Sequence, residues 1–206
     1  MDTIDRKKHW ENVFRTKDTS RVSWHQPVPE TSLRLISKLN ISKTDKIIEV
    51  GAGDSFLGDF LLEKGYSEIT LLDISEKALN TVRNRLAEKA ELITFRNADI
   101  VHFIPKTKYT VWHDRAVFHF LTDKKDVAKY VNNVSSGIIS GGFLIVGTFS
   151  NNGPDNCSDL NVQQYSEKEI TDVFKINFTK IECFTENHNT PSGGSQNFLF
   201  CIFQHK

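Results

Sequence analysis

No excess of charge of either sign marks this chain. Lys and Arg number 26 and Asp and Glu number 26 in 206 residues. A nucleic-acid binder usually shows a basic stripe or a basic pI, so composition speaks against a nucleic-acid partner. Cysteine is scarce. Cys157, Cys183 and Cys201 are odd in number and show no C-x-x-C spacing, which excludes a zinc ribbon and predicts reduced thiols in a cytoplasmic protein. Residues 1–20 hold no apolar core of a secretory leader. No apolar run reaches the length that crosses a bilayer, so no membrane partner is expected. The histidines form no H-x-x-x-H or H-E-x-x-H pair, so no metal site is predicted. Internal repeats and low-complexity segments are absent.

What remains is an ordinary globular composition, 38% apolar and 25% charged. At this length a single domain over 1–206 is expected, burying about 70% of its unfolded surface. Its organising stretch is Lys46-Ile-Ile-Glu-Val-Gly-Ala-Gly-Asp54. Ile47, Ile48 and Val50 suit a buried strand. Gly51-Ala52-Gly53 then breaks the chain, and Phe56, Leu57, Phe60 and Leu61 recur at helical spacing over 55–64. Strand, glycine turn and helix in this order is where open α/β sheets bind nucleotides. Glycine admits a ligand to the backbone because no Cβ intervenes. The third glycine of G-x-G-x-x-G is replaced by Phe56, and Asp54-Ser55 stand where a P-loop needs Lys-Ser/Thr. Glu49, two residues before Gly51, would repel a pyrophosphate and accept from an amino group.

The downstream pattern repeats the alternation. Strand 68–73 ends in Asp73, 20 residues after Gly53, near the spacing at which an acid takes ribose hydroxyls. Helix 75–89 follows, with Ser75 as N-cap. Strand 91–95 leads to Asn97-Ala-Asp99-Ile100, where Asp99 can accept from an adenine amino group. Strand 109–114, helix 124–138 and strand 141–149 come next, then helix 166–174 and two apolar runs, 178–186 and 196–203, with no helix between them. Strands separated by helices predict a parallel sheet covered on both faces, and the last two runs predict an antiparallel hairpin. Ahead of the core, an amphipathic helix over 4–15, a loop with Pro27 and Pro29, and a helix beginning near Glu30 form residues 1–45.

Glu-x-Gly-x-Gly, then Leu-Asp, then Ala-Asp-Ile, in this order, resembles the class I S-adenosylmethionine (SAM) methyltransferases over about 46–150. Trp112-His-Asp-Arg-Ala-Val-Phe-His-Phe-Leu121, Gly153-Pro-Asp-Asn-Cys-Ser158, Ser192-Gly-Gly-Ser-Gln-Asn-Phe198, Trp10-Glu-Asn-Val-Phe and Val22-Ser-Trp-His-Gln-Pro27 are similar to a family of small methyltransferases along almost the whole chain. The resemblance implies a Rossmann-like α/β fold with a seven-stranded, mostly parallel sheet and a C-terminal antiparallel hairpin. It implies SAM as cofactor and S-adenosylhomocysteine (SAH) as product. Glu49, Gly51, Ala52, Gly53, Asp73, Ile74, Asp99 and Ile100 become the cofactor residues. Residues 1–45 become a lid, with Trp24 on the cofactor and His25 on cofactor or substrate. In this fold the first and fourth strands are neighbours, so His113, Asp114, Arg115 and His119 are expected to line the cleft, with His113, Asp114 and His119 as candidate bases and His25 as the further catalytic candidate.

The substrate stays open. A small molecule, a protein lysine, and SAM binding without turnover all remain. No Asn-Pro-Pro-Tyr or Asp-Pro-Pro-Tyr follows the fourth strand, which removes weight from amide and base nitrogens. The missing third glycine and the two-strand tail speak against a nicotinamide-dependent dehydrogenase.

Overall fold

A computed structural model describes residues 5–206; Ile4, expected in the first helix, lies outside them. Helix α1 (Arg6–Thr16) is capped by the Asp5 carboxylate, and α2 (Glu30–Lys38) buries Leu33, Leu35 and Ile36. The core alternates as the periodicity predicts: β1 (Ile47–Val50), α3 (Leu57–Glu63), β2 (Ile69–Asp73), α4 (Glu76–Leu86), β3 (Ile93–Asn97), β4 (Tyr109–Arg115), α5 (Lys124–Gly137) and β5 (Ile138–Phe149). A small hairpin, β6 (Asn156–Cys157) and β7 (Leu160–Asn161), has no counterpart in the sequence pattern. Helix α6 (Glu167–Phe174) starts with a reciprocal capping box between Ser166 and Glu169. The long strands β8 (Phe178–Asn189) and β9 (Ser195–His205) complete the described chain.

Seven strands form one sheet in the order β3-β2-β1-β4-β5-β9-β8. The β1 to β5 neighbours pair in parallel, while β9 runs antiparallel to both β5 and β8. This is the expected class I methyltransferase architecture. Helices cover both faces, giving two apolar layers: Ile47, Val111, Ile145 and Ile202 on one side, Ile48, Trp112, Val146 and Tyr130 on the other. The division is the period-two alternation of strands.

Boundaries shift for local reasons. Helix α4 stops at Leu86 and the chain tightens into a 3₁₀ turn over Ala87–Leu92, so β3 starts two residues later than the apolar run suggests. Strand β5 begins before the Gly141-Gly142 pair rather than after it: Tyr109 pairs with Ile138 and Val111 with Phe143, so the glycines sit in a bulge. The hairpin turn shortens to Thr190–Gly194, because β8 and β9 pair out to Asn189 and Ser195.

The cysteine expectation is corrected. Cys183 and Cys201 are register partners in β8 and β9, with Cα atoms 4.2 Å apart, and are joined in a disulfide. Cys157 is free and buried. Spacing could not show this, since the pairing depends on the hairpin register. Among the described residues, no helix is long and apolar enough to cross a membrane.

Candidate functional site

The cavity lies beyond the carboxyl ends of β1, β2 and β4, roofed by α1 and the loop before α2. Parallel register sets its floor. Glu49 of β1 sits beside His113 of β4, so both side chains leave the same face of the sheet. Arg115, two residues on, shares that face. After β1 the backbone turns through Gly51 (φ +66°) and Gly53 (φ +53°), where L side chains are strained. A Cβ at Gly51 would meet Val117 Cγ2 at 1.9 Å, and one at Gly53 would lie 3.1 Å from Phe14 of α1. Helix α1 therefore rests directly on the glycine turn.

Two acids flank that turn. The Asp73 carboxylate accepts from Gly53 N at 2.8 Å and Ser75 N at 2.7 Å, tying the end of β2 to both the turn and the start of α4. Each oxygen keeps a further lone pair for a ligand hydroxyl. Burial pushes Asp73 up to about 6, against the pull of those two N–H groups. Glu49 accepts from Ser55 Oγ at 2.7 Å through one oxygen, and its Oε2 is buried with no partner among the described residues. Burial drives this carboxyl up to about 8. An orphaned acceptor in a closed site is an unmet demand for a donor.

The third predicted acid is also at the cavity. Asp99 caps its own turn, accepting from Val101 N at 2.9 Å, and its other oxygen lies 3.7 Å from Arg6 of α1. Ala52, Ile74, Ile100, Trp24 and His25 line the cavity as well. Trp24 packs edge-on to Trp10 with centroids 5.9 Å apart, and His25 sits edge-on to Phe56 at 6.2 Å.

Strand four does not behave as a block. Its side chains alternate, so His113 and Arg115 face the cavity, whereas Asp114 points through the sheet into the opposite layer. There Asp114 accepts from Tyr130 Oη at 2.6 Å and from the N–H groups of Val117 and Phe118, closing the turn after the strand. It does not line the cavity. His119 is also set apart: it stacks on Phe149 with centroids 4.2 Å apart, and neither ring nitrogen has a partner among the described residues. Burial lowers both His113 and His119 to about 3, so each is a neutral imidazole. His113 Nε2 bonds Ser32 Oγ at 2.8 Å, and its Nδ1 has no partner among the described residues. Of the four catalytic candidates, His113 and His25 are at the cavity and Asp114 and His119 are not. Tyr130→Phe should cost about 1–3 kcal/mol, the usual penalty of an unmet buried acceptor, with SAH affinity unchanged by calorimetry.

Two residues that sequence reasoning missed hold the site in shape. Arg85 of α4 bonds both Asp59 oxygens, at 2.9 and 2.7 Å, and the carbonyls of Asp54 and Ser55 at 2.9 and 2.5 Å. Its guanidinium lies over Phe56, 4.1 Å from the ring centroid. Glu11 of α1 accepts from Glu76 N at 2.6 Å and Ser75 Oγ at 3.2 Å, capping α4 from the lid. The helical spacing of Arg85 offered the only local hint, and it reads equally well as a solvated face. Arg85→Ala should loosen the turn and weaken SAH binding about tenfold, since each bond to a charged group contributes about 1.5–3 kcal/mol; calorimetric titration reads the change.

A glycine turn thus lies between two strand-end acids, beneath α1 and the loop before α2. The chain belongs to the methyltransferase domain family, whose model matches residues 41–192. Over 91 residues it is 31% identical to the zebrafish (Danio rerio) eEF1A lysine and N-terminal methyltransferase, a match over 44% of this chain and 13% of that protein. The chain thus spans 13% and 17% of the length of the first curated relatives it matches. Among solved structures, one described for conversion of a disulfide bond into a thioacetal group during echinomycin biosynthesis superposes with TM-score 0.77 at 15% identity, covering 97% of this chain and 93% of that one. The Burkholderia thailandensis 1,6-didemethyltoxoflavin-N1-methyltransferase, bound to 1,6-didemethyltoxoflavin and SAH, superposes with TM-score 0.69 at 16% identity, covering 95% and 81%. These likenesses establish the shared fold.

Proposed function

We propose that this protein is a SAM-dependent methyltransferase acting on a small-molecule acceptor. The observation that carries the cofactor is the pair Glu49 and Asp73, one on each side of the glycine turn. Asp73 offers lone pairs where a ribose would stand, and the unpaired Glu49 oxygen suits the ammonium of the methionine end. Asp99 is available to an adenine amino group. When bound, SAM supplies a methyl group already activated by its sulfonium.

The chain then has to position and to exclude. Gly51 and Gly53 let the backbone come close, and Trp10, Phe14 and Trp24 cover the turn and keep water out. Alignment of this kind can contribute about 7–11 kcal/mol. His113 stays neutral, so at the cavity it can orient the acceptor by hydrogen bonding rather than carry its proton, while His25 borders the same space from the loop before α2. The roof favours an acceptor small enough to pass it, and the toxoflavin enzyme with its bound small acceptor is consistent with that.

A second reading, methylation of a protein lysine, is favoured by the likeness to the eEF1A methyltransferases. Titration of the purified protein with SAH, SAM and NAD comes first. Binding of both adenosyl compounds and not of NAD supports the cofactor assignment; no adenosyl binding overturns it. A methyl-transfer screen against metabolite and protein pools then separates the two readings, since label appearing only in protein would sink the small-molecule proposal.

A further inference from the structure

Arg115 is the residue this site leaves unexplained. Its Nη1 donates to the Trp24 carbonyl at 3.1 Å, and its guanidinium lies 4.9 Å from the Phe198 ring centroid. The carbonyl fixes the rotation of the group and the ring fixes its plane. Nε and Nη2 are buried and have no hydrogen-bond partner among the described residues. Those two atoms form one edge of the guanidinium, with parallel N–H bonds spaced to take both oxygens of a carboxylate. The nearby acid Glu186 is otherwise engaged, accepting from Thr31 Oγ1 at 2.6 Å and lying 3.6 Å from Arg34.

Place in the sheet says which ligand the edge serves. Strand order runs β2, β1, β4, β5, β9. Asp73 is on β2 and Glu49 on β1, so the cofactor residues occupy one end. Arg115 is on β4, and its neighbours along the cavity are Phe149 of β5 and Gln196 and Phe198 of β9. The Gln196 Oε1 is likewise buried without a partner among the described residues. This end is aromatic; besides the His113 Nδ1, the unmet groups lining it among the described residues are a two-donor fork and one acceptor.

We propose that Arg115 is the anchor of the methyl acceptor, and that the acceptor carries a carboxylate received side-on by Nε and Nη2 over the Phe198 ring. The inference rests on the cofactor reading above and adds the substrate class to it. Benzoate is a suitable probe, with benzamide as its neutral isostere, each titrated into the protein saturated with SAH. Benzoate is expected to bind about tenfold or more tightly than benzamide. Arg115→Lys keeps the charge and removes the fork, and should lose about tenfold of the benzoate affinity while SAH affinity stays within about threefold. Arg115→Gln should do the same more strongly.

Equal binding of benzoate and benzamide to the unaltered protein overturns the proposal without any variant. So does an Arg115→Lys protein with undiminished benzoate affinity. A preference for inorganic phosphate over benzoate would overturn the carboxylate in favour of a phosphate-bearing acceptor. If Arg115→Lys weakens SAH itself about tenfold, the edge belongs to the cofactor's own carboxylate and the acceptor assignment falls. Failure of the unaltered protein to bind SAH would instead sink the cofactor reading, so the two failures are told apart.

Discussion

Replacing Asp73 with alanine should weaken SAH binding about a hundredfold while the protein still melts cooperatively. Two effects add. The ribose loses a charged acceptor, and such hydrogen bonds contribute about 1.5–3 kcal/mol each. The Gly53 and Ser75 N–H groups also lose the carboxylate that draws the glycine turn toward α4. Asp73→Asn separates the two, since its amide oxygen still accepts from one of these N–H groups and its charge is gone. Calorimetry with SAH, beside a melting curve, reads both terms. An alanine variant that binds SAH like the parent would remove Asp73 from the cofactor site.

Glu49 should leave a signature in the pH dependence of stability. Its carboxyl titrates near 8 in the fold against an ordinary value of 4.5. A raised acid holds its proton in the folded state after the unfolded chain has lost it, so stability falls as pH rises from 4.5 toward 8. Asp73 and Asp114, both raised to about 6, act with the same sign and finish near that pH. His113 and His119, lowered from 6.5 to about 3, act oppositely: their penalty is felt as pH falls below 6.5. Between pH 6.5 and 8 Glu49 is left as the main term. At about 1.4 kcal/mol per pH unit per proton, the ligand-free protein should lose about 2 kcal/mol across that interval, and Glu49→Gln should flatten the slope. Denaturant melts at stepped pH measure it. If the ammonium of SAH pairs with Glu49, binding at pH 7 should release a proton, seen as a dependence of the binding heat on the buffer's ionisation enthalpy. A buffer-independent heat would take that pairing away.

Much of this was legible because it is local. Ile47, Ile48 and Val50 followed by Gly51 and Gly53 announce a strand and a turn whatever surrounds them. The tail announces a hairpin because no helical period separates its apolar runs. The placing of Asp114 was legible too, and was misjudged: a strand alternates, so His113 and Asp114 cannot face the same cleft. Sharing a side with His113 is what Arg115 gains by standing two residues on. His119 lies past the strand end, where the chain's direction depends on the turn that Asp114 itself closes. The roles of Arg85 and Glu11 and the pairing of Cys183 with Cys201 join residues far apart in sequence. They emerge only when α1 meets α4 and when the hairpin register is set.

The position of β9 has a consequence for how the molecule is made. It follows β8 in the chain yet lies between β8 and β5. Until residues 195–205 leave the ribosome, β5 offers an open edge and β8 has no strand beside it. Unpaired edges of this kind recruit strands from other chains. A product stopped short of Ser195 would lack Gln196 and Phe198 as well, and so would present two sticky edges and an unfinished cavity. The sheet, and with it the acceptor end of the site, is therefore completed by the strand synthesised last of the seven.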